Sequence, residues 1–384
     1  MNNYMDIDYS SYDVIIVGCG LSGAVMAERF SQVLNKRVLI LERRSHIGGN
    51  CYDFLDEETK IMCNKYGPHL FHTNDEIVWG YINKFSEWER YEHKVIGNIG
   101  GKTFPIPVNI TTVNLLCGEN IKTSTEMECW LKENQQYYDN ITNGEEMARS
   151  LVGDSLYKKI FKNYTFKQWG KYPEELSPEV LNRIPIRRDF DDRYFTDKYQ
   201  VLPKCGYTGF FEKMLAHKNI DVMLNIDYLS IKDSIPLEKI VVYTGPIDRY
   251  FSDSGYEKLE YRSLNIVFEK YKDMNYYQPS AQVNYTGDDE KFTRIIEYKH
   301  FLNQVSSHTV ISKEYSSVEG EPYYPVLNNK NKELFNKYKG LAEKEALYRN
   351  IHFVGRLANY KYFNMDEAIK NALNYFNEIF KSSL

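Results

Sequence analysis

Hydrophobic spacing changes period several times along the chain, and each change marks an element. Residues 13–17 are a short apolar run rich in β-branched side chains, the pattern of a strand buried on both faces of a parallel sheet. Over residues 22–34 the period lengthens to that of a helix, with Met26, Ala27, Phe30, Val33 and Leu34 on one stripe. Residues 37–41 return to a strand. Residues 76–90 carry Ile77, Tyr81 and Phe85 at steps of four and predict a helix. Residues 95–108 read as two short strands around Gly100-Gly101, with Pro105 and Pro107 placing the second at a sheet edge.

Residues 110–185 are largely helical in pattern, and Leu156, Tyr157, Ile160, Phe161 and Tyr164 share one face. Gly170, Pro173 and Pro178 then break the period. They predict a mobile loop that leads into a short helix capped by Ser177, with Pro178 at its first position. Strands return from Val222. Residues 239–246 suit a late strand of the parallel sheet, while 264–269, 282–285, 293–298 and 309–315 are short, closely spaced and suited to an antiparallel sheet. A helical segment, an apolar strand at 351–356 and a final helix complete the chain. Asn364 and Glu367 are spaced as a capping box for that helix, whose buried stripe is Met365, Ala368, Ile369, Ala372, Phe376 and Phe380.

The first strand runs directly into Gly18-Cys19-Gly20-Leu21-Ser22-Gly23. In this spacing Gly18 permits the tight turn, Gly20 lets a pyrophosphate approach the backbone, and Gly23 allows the helix to pack closely on the sheet. The second strand ends at Glu42, where a carboxylate can accept hydrogen bonds from a ribose and repels a 2′-phosphate. Strand, turn, helix, strand and acid together predict a bound dinucleotide. Downstream, the run from Glu42 and Arg43 to Gly48, Gly49 and Asn50 resembles the continuation found in FAD enzymes of the amine-oxidase and glutathione-reductase type, so the cofactor expected is FAD.

Composition narrows the functional classes. Charged residues make up 26% of the 384 and the net charge is −5, which gives no general attraction to nucleic acid or to an anionic membrane. The six cysteines form no C-x-x-C pair, and no signal peptide or 18-residue apolar run occurs. A reducing, cytoplasmic location follows as the expectation, without disulfides or a zinc site. His69 and His72 lie three apart, but Gly67 and Pro68 disfavour a helix there and no third ligand is near, so no metal is expected.

Beginning and ending in the same kind of unit, the chain reads as an α/β protein. A Rossmann-type FAD-binding domain (11–90 plus 205–260 plus 335–384) is interrupted by a small helical domain with a mobile lid loop (110–190). An antiparallel β-sheet domain (91–109 plus 261–330) completes it.

Eight stretches in order, spanning nearly the whole chain, resemble the UDP-galactopyranose mutase family. They are the dinucleotide fingerprint, YGPHLFHT (66–73), NYTFKQWG (163–170), LNRIPIR (181–187), DDRYF (191–195), FTRIIEYKH (292–300), EPYYP (321–325) and FVGRLANYKYFNMDEAI (353–369). The resemblance implies the same three-part fold and the interconversion of UDP-galactopyranose and UDP-galactofuranose, without net oxidation but on reduced FAD. In the implied mechanism flavin N5 attacks the anomeric carbon and displaces UDP. The ring then opens, and the 4-hydroxyl recloses it in place of the 5-hydroxyl.

Residue by residue, the resemblance implies a catalytic set of Arg183, Arg294, His72 and Arg356. Arg183 and Arg294 match the diphosphate arginines, and Tyr194, Tyr324 and Tyr362 the phosphate-binding phenols. Tyr164, Thr165 and Trp169 match the uridine end with Phe161 beside them, Tyr164 as the stacking residue and Trp169 at the start of a lid. His72 matches a histidine beside the flavin ring, and Arg356 a residue near the cofactor and the substrate phosphates. The implied cofactor contacts are Gly18, Gly20, Leu21, Ser22, Gly23, Glu42, Arg43, Gly49, Asn50, His69, Gly355, Arg356, Asn364 and Met365. Two positions depart from the family pattern: Ile160 where an aromatic can stand, and Asn364 in place of an aspartate. The expected partners are the UDP-sugar pair, an external reductant for the flavin and a second copy of the chain in a homodimer. Two other classes share the cofactor architecture, a flavin-dependent oxidase and a carrier like the Rab GDP-dissociation inhibitors. The first would turn over oxygen, and the second would hold no flavin.

Overall fold

The computed structural model describes residues 8–182 and 185–381. A parallel sheet carries the dinucleotide motif, in the order Ile220–Met223, Val38–Leu41, Val14–Val17, Ile240–Tyr243 and Ile351–Phe353. Val14–Val17 sits at its centre and every residue of that strand is buried, which is why it is apolar on both faces. The helix Leu21–Leu34 follows and packs on the final helix, Met365–Tyr375. Phe30 meets the Phe376 ring edge-on at 5.3 Å, with Phe380 4.7 Å away. Burying a phenylalanine of this kind contributes roughly 1.5–3 kcal/mol, so the first and last helices of the chain hold each other on one face of the sheet. Val33, expected on the stripe, is 39% exposed; buried Ala24, Val25 and Ser31 widen the packed face instead.

A second sheet runs Tyr324–Pro325, Tyr261–Tyr271, Thr309–Ser317, Arg294–Glu297, Gln282–Tyr285, Val95–Ile99 and Lys102–Ile106. The four strands expected from 264 to 315 are all present, and the proline-bearing strand lies at the edge. One pairing departs from a purely antiparallel sheet. Gln282–Tyr285 runs parallel to Val95–Ile99, because the chain reaches them from two distant segments rather than through a hairpin. Helices Ile110–Cys117, Ser124–Asn134, Gly144–Leu156 and Asn163–Trp169 form the helical layer, with a π-helical turn at Tyr157–Lys162.

The helix read over 76–90 is half right. Asp75 caps it by accepting from the Ile77 and Val78 amides, but it ends at Ile82, and Trp88–Arg90 is a strand. Ile77 is 75% exposed, since the seven-residue helix buries Val78, Tyr81 and Ile82. Trp88–Arg90 joins Phe71–Thr73 and Tyr199–Pro203 in a small sheet; the Tyr199–Pro203 strand has no counterpart in the reading from sequence, and the strands expected from Val222 begin two residues earlier, at Ile220–Met223. At Pro178–Val180 there is only a 3-10 turn, and Ser177 makes no side-chain cap. The preceding loop is docked: Pro173 and Leu176 are buried, Gly144 N donates to Leu176 O at 2.9 Å, and Ser177 N donates to Leu327 O at 3.2 Å. Among the described residues no helix is long and apolar enough to cross a membrane.

Candidate active site

Two cavities meet inside the fold. The first, of about 220 Å3, lies at the carboxyl ends of the parallel strands and is lined by Gly18, Gly20, Leu21, Ser22, Glu42, Arg43, Gly49 and Asn50. Its floor exists because side chains are missing. Gly49 has φ +56, and a Cβ there would stand 2.8 Å from the Gly20 Cα, so the two glycine loops touch backbone to backbone. Gly48 N donates to Cys19 O at 2.9 Å and holds the loops in register. Gly23 and Gly355 do not line the cleft but shape it from behind. A Cβ on Gly23 would lie 2.0 Å from Gly18 O, and one on Gly355 2.6 Å from Ser22 Oγ.

The helix that starts at Leu21 has Gly20 as its N-cap and no side chain capping it, so its amide end is left to an anion in the cleft. Glu42, 6% exposed, accepts from Cys19 N at 2.8 Å and from Arg44 N at 2.9 Å, one bond to each oxygen. A carboxylate offers about four acceptor positions, so both oxygens keep a lone pair for ribose hydroxyls while anchoring the two loops. Arg43 pairs with Glu321, and Arg44 reaches the same carboxylate at 3.8 Å. Arg249, paired with Asp227, lines the cleft as well. Burial, then the Arg249 and Arg44 cations, lower the Arg43 pKa.

The second cavity, of about 480 Å3, lies between the helical layer and the second sheet, and Phe161, Tyr164, Thr165, Trp169, Tyr194 and Arg294 line it. His72, Tyr324 and Tyr362 do so too. His69, Arg356, Asn364 and Met365 belong to both walls, so the two spaces join at these four residues. Asn364 N, at the start of the final helix, donates to Glu367 Oε2 at 2.7 Å, which is the Glu367 half of the expected box.

Charge in this cavity is organised by Glu314. It is 1% exposed and its Oε2 accepts from Arg294 Nε at 2.7 Å. Burial works against the Arg294 cation, but Glu314, Tyr164 and Tyr324 outweigh it and hold the guanidinium above its ordinary value. Among the described residues the other Arg294 nitrogens have no hydrogen-bond partner, so a fixed cation with unspent donors lines the space. Tyr324 and Tyr362 stack at 5.4 Å and 10°, and the Arg356 guanidinium carbon lies 5.8 and 5.2 Å from their ring centres. An Arg356 Nη also donates to Phe363 O. Burial raises the Tyr164 and Tyr324 phenols, which therefore stay protonated as donors at neutral pH.

Trp169 is only 6% exposed. It packs with Leu176 and Val326 and lies 6.3 Å from each stacked tyrosine, so it braces the pair from the end of its helix. Phe161 is buried beside Ile160 on the π-helical turn that precedes Tyr164. His69 donates from Nδ1 to Gly67 O at 2.9 Å; burial pushes its pKa down to about 4, so the ring is neutral. His72 binds Asp197 through Nδ1 at 2.9 Å, and its ring stacks on Phe195 at 3.7 Å. The two histidines thus serve different partners. Arg183 lies outside the described residues.

Several lining residues escape the sequence reading. His93, Gln282, Asn284 and Thr286 form a polar row: His93 Nε2 meets Gln282 Oε1 at 3.3 Å, and Gln282 Nε2 donates to Asn284 Oδ1 at 2.9 Å. The signal was present in the strand, where buried polar side chains at 282, 284 and 286 alternate with Val283 and Tyr285. Asp197 carried no signal of its own, because its meaning depends on His72, which is distant in sequence.

The family model for UDP-galactopyranose mutase matches residues 159–362, and that for an NAD(P)-binding Rossmann-like domain matches residues 16–85. The chain is 38% identical to a Klebsiella pneumoniae protein described as "Probable UDP-galactopyranose mutase", over 96% of this chain and 95% of that one. It is 37% identical to the dTDP-fucopyranose mutase of Escherichia coli (94% and 96% covered) and 36% identical to the UDP-galactopyranose mutase of Mycoplasma genitalium (94% and 93%). Among solved structures, a crystal structure of reduced UDP-galactopyranose mutase superimposes with a TM-score of 0.72 at 16% identity, covering 97% of this chain and 96% of that one.

Proposed function

The chain belongs to the UDP-galactopyranose mutase family and is therefore an isomerase, and from that premise we propose that it interconverts UDP-galactopyranose and UDP-galactofuranose on reduced FAD. One observation carries the reading: a dinucleotide cleft and a cavity holding a fixed cation and stacked phenols open into each other at His69, Arg356, Asn364 and Met365.

The first cleft fits FAD. The contact of Gly20 with Gly49 leaves room for a pyrophosphate against bare backbone, the uncapped helix start favours its charge, and Glu42 retains lone pairs for a ribose. Leu21, Ser22, Arg43 and Asn50 complete this end, and the four shared residues would hold the flavin ring. Bound there in reduced form, the cofactor supplies a nucleophilic nitrogen for the anomeric carbon of the sugar nucleotide.

The rest falls to this chain's side chains. Arg294, with Arg183 assigned the same role, neutralises the diphosphate as UDP departs. Each charge-assisted bond contributes roughly 1.5–3 kcal/mol. Tyr194, Tyr324 and Tyr362 hold the phosphate oxygens, and Arg356 spans the junction. Phe161, Tyr164 and Thr165 receive the uridine. Ile160 supplies an aliphatic wall where an aromatic would have made a two-sided stack. Ring contraction moves one proton from the 4-hydroxyl, whose oxygen closes the new ring, to the 5-oxygen released from the old one. His72, which lines the cavity and whose Nε2 has no hydrogen-bond partner among the described residues, is assigned to take the first and return it to the second.

The test is chromatography of UDP-galactofuranose incubated with the protein before and after reduction by dithionite, with dTDP-fucopyranose as a parallel substrate. Conversion to UDP-galactopyranose only after reduction is expected. No conversion by reduced, flavin-loaded protein, or preferential turnover of dTDP-fucopyranose, overturns the assignment.

A further inference from the structure

We propose that Asp197 is a positioning residue that fixes His72 in the tautomer carrying its proton on Nδ1, so that the Nε2 lone pair faces the substrate cavity. The tautomer follows from geometry alone; only the use made of Nε2 rests on the mutase reading.

The direction of each hydrogen bond is set by one backbone group. Lys198 N–H can only donate, and it donates to Asn74 Oδ1 at 2.8 Å. The Asn74 amide nitrogen therefore faces the other way, where it donates to Asp197 Oδ1 at 2.8 Å. Asp197 Oδ2 lies 2.9 Å from His72 Nδ1. An ionised carboxylate only accepts, so the proton in this last bond belongs to Nδ1.

Surrounding contacts keep the ring and the carboxylate in place. Phe195 stacks on the imidazole at 16° between planes, and Gln200, paired with His72 across the two strands, donates from Nε2 to the Asp197 carbonyl at 3.0 Å. Nε2 has no hydrogen-bond partner among the described residues, and both His72 and Asp197 line the cavity. Asp366, in the first turn of the final helix, and His93 are the other titratable groups that feel the ring. The bond from Nδ1 goes to Asp197 alone.

Asp197→Asn keeps the shape but reverses the wiring. Asn74 Nδ2 still requires an acceptor, so the new amide oxygen stays on that side and its NH2 turns towards His72 Nδ1. That nitrogen becomes the acceptor, and the proton moves to Nε2. A second substitution restores the original sense. In Asn74→Asp with Asp197→Asn, residue 74 accepts from both Lys198 N and the amide of residue 197, whose oxygen then faces His72 Nδ1–H.

The experiment is nitrogen NMR of the holoenzyme labelled with 15N-histidine, with the ring in its neutral form, alongside steady-state kinetics. The parent protein should show His72 protonated at Nδ1, D197N at Nε2, and N74D/D197N at Nδ1 again. kcat should fall by about 10²–10⁴-fold in D197N and recover in the double variant, with KM, flavin content and thermal midpoint little changed. An unchanged tautomer in D197N, or no reversal in the double variant, overturns the proposal. A tautomer that switches without a change in kcat overturns its catalytic consequence. Absence of conversion by the parent enzyme refutes the mutase reading instead, and the NMR result then stands or falls separately.

Discussion

Gly49→Ala tests the cofactor cradle at its tightest point, and the molecule contains its own control. Gly49 has φ +56 and a prospective Cβ 2.8 Å from the Gly20 Cα; Gly100 has φ +55 and nothing within 4 Å. An alanine at either position incurs the same left-handed backbone cost, about 1–2 kcal/mol. Only at residue 49 must two backbone loops also part, because no flexible side chain can yield. Overpacking of that kind costs about 1–3 kcal/mol. The difference falls on the dinucleotide cleft, since Gly20 and Gly49 both line it while Gly100 sits in the turn of an edge hairpin. At about 1.4 kcal/mol per tenfold, the excess predicts flavin binding weakened roughly 5- to 140-fold in G49A and unchanged in G100A, with both losing a similar backbone increment of stability. The assay is flavin absorbance per protein after exhaustive dialysis, followed by titration with FAD. Equal flavin retention by G49A and G100A would refute the claim that the Gly20–Gly49 contact forms the cofactor floor.

Two further outcomes follow from buried charge. Arg294→Ala should abolish turnover while flavin stays bound, but it also strands Glu314, 1% exposed, without its cation, at a cost of about 3–5 kcal/mol. Arg294→Ala with Glu314→Gln should regain the thermal midpoint and remain inactive. Turnover near the parent rate in the double variant would remove Arg294 from the diphosphate site. Burial pushes the pKa of His93 down to about 3 and that of His352 to about 4, against about 6.5 in the unfolded chain. The unfolded state therefore takes up protons that the fold refuses. Their stabilising contribution is fully present above pH 6.5 and is lost as pH falls towards the folded values, at up to about 1.4 kcal/mol per pH unit for each histidine. Thermal midpoints measured at descending pH should fall less steeply in His352→Gln than in the parent; equal slopes would show that His352 is not held neutral.

Local chemistry made half of the molecule legible in advance. The run Val14–Val17 had to be buried on two faces, Gly18 to Gly23 had to form a tight turn into a closely packed helix, and Glu42 had to follow the next strand; each requirement is met within a few residues. The antiparallel strands from 261 to 317 were readable for the same reason, because β-branched and aromatic residues alternate over short spans. Tyr199–Pro203 was not. It gains strand character by lying between Phe71–Thr73 and Trp88–Arg90, segments more than 100 residues away. Residues 76–90 misled because Tyr81 and Phe85 do pack together at 5.2 Å, yet Phe85 lies beyond the end of the helix.

The site divides along the same line. Arg294 could be picked out as a cation in a net-negative chain, but its value depends on Glu314, which sits directly opposite it across two strands. Without that carboxylate a guanidinium so deeply placed would be a burden on the fold, and with it the cation is fixed beside the cavity, as the proposed diphosphate role requires. His72 has the same dependence on Asp197, and Glu42 on the two backbone amides it collects. In each case sequence points to the group proposed to meet the ligand, while tertiary structure supplies the partner that, on the proposed reading, sets its charge, tautomer or direction. Substitutions at Glu314 and Asp197 should therefore perturb chemistry more selectively than truncation of the residues they serve, because they change the state of a functional side chain without removing it.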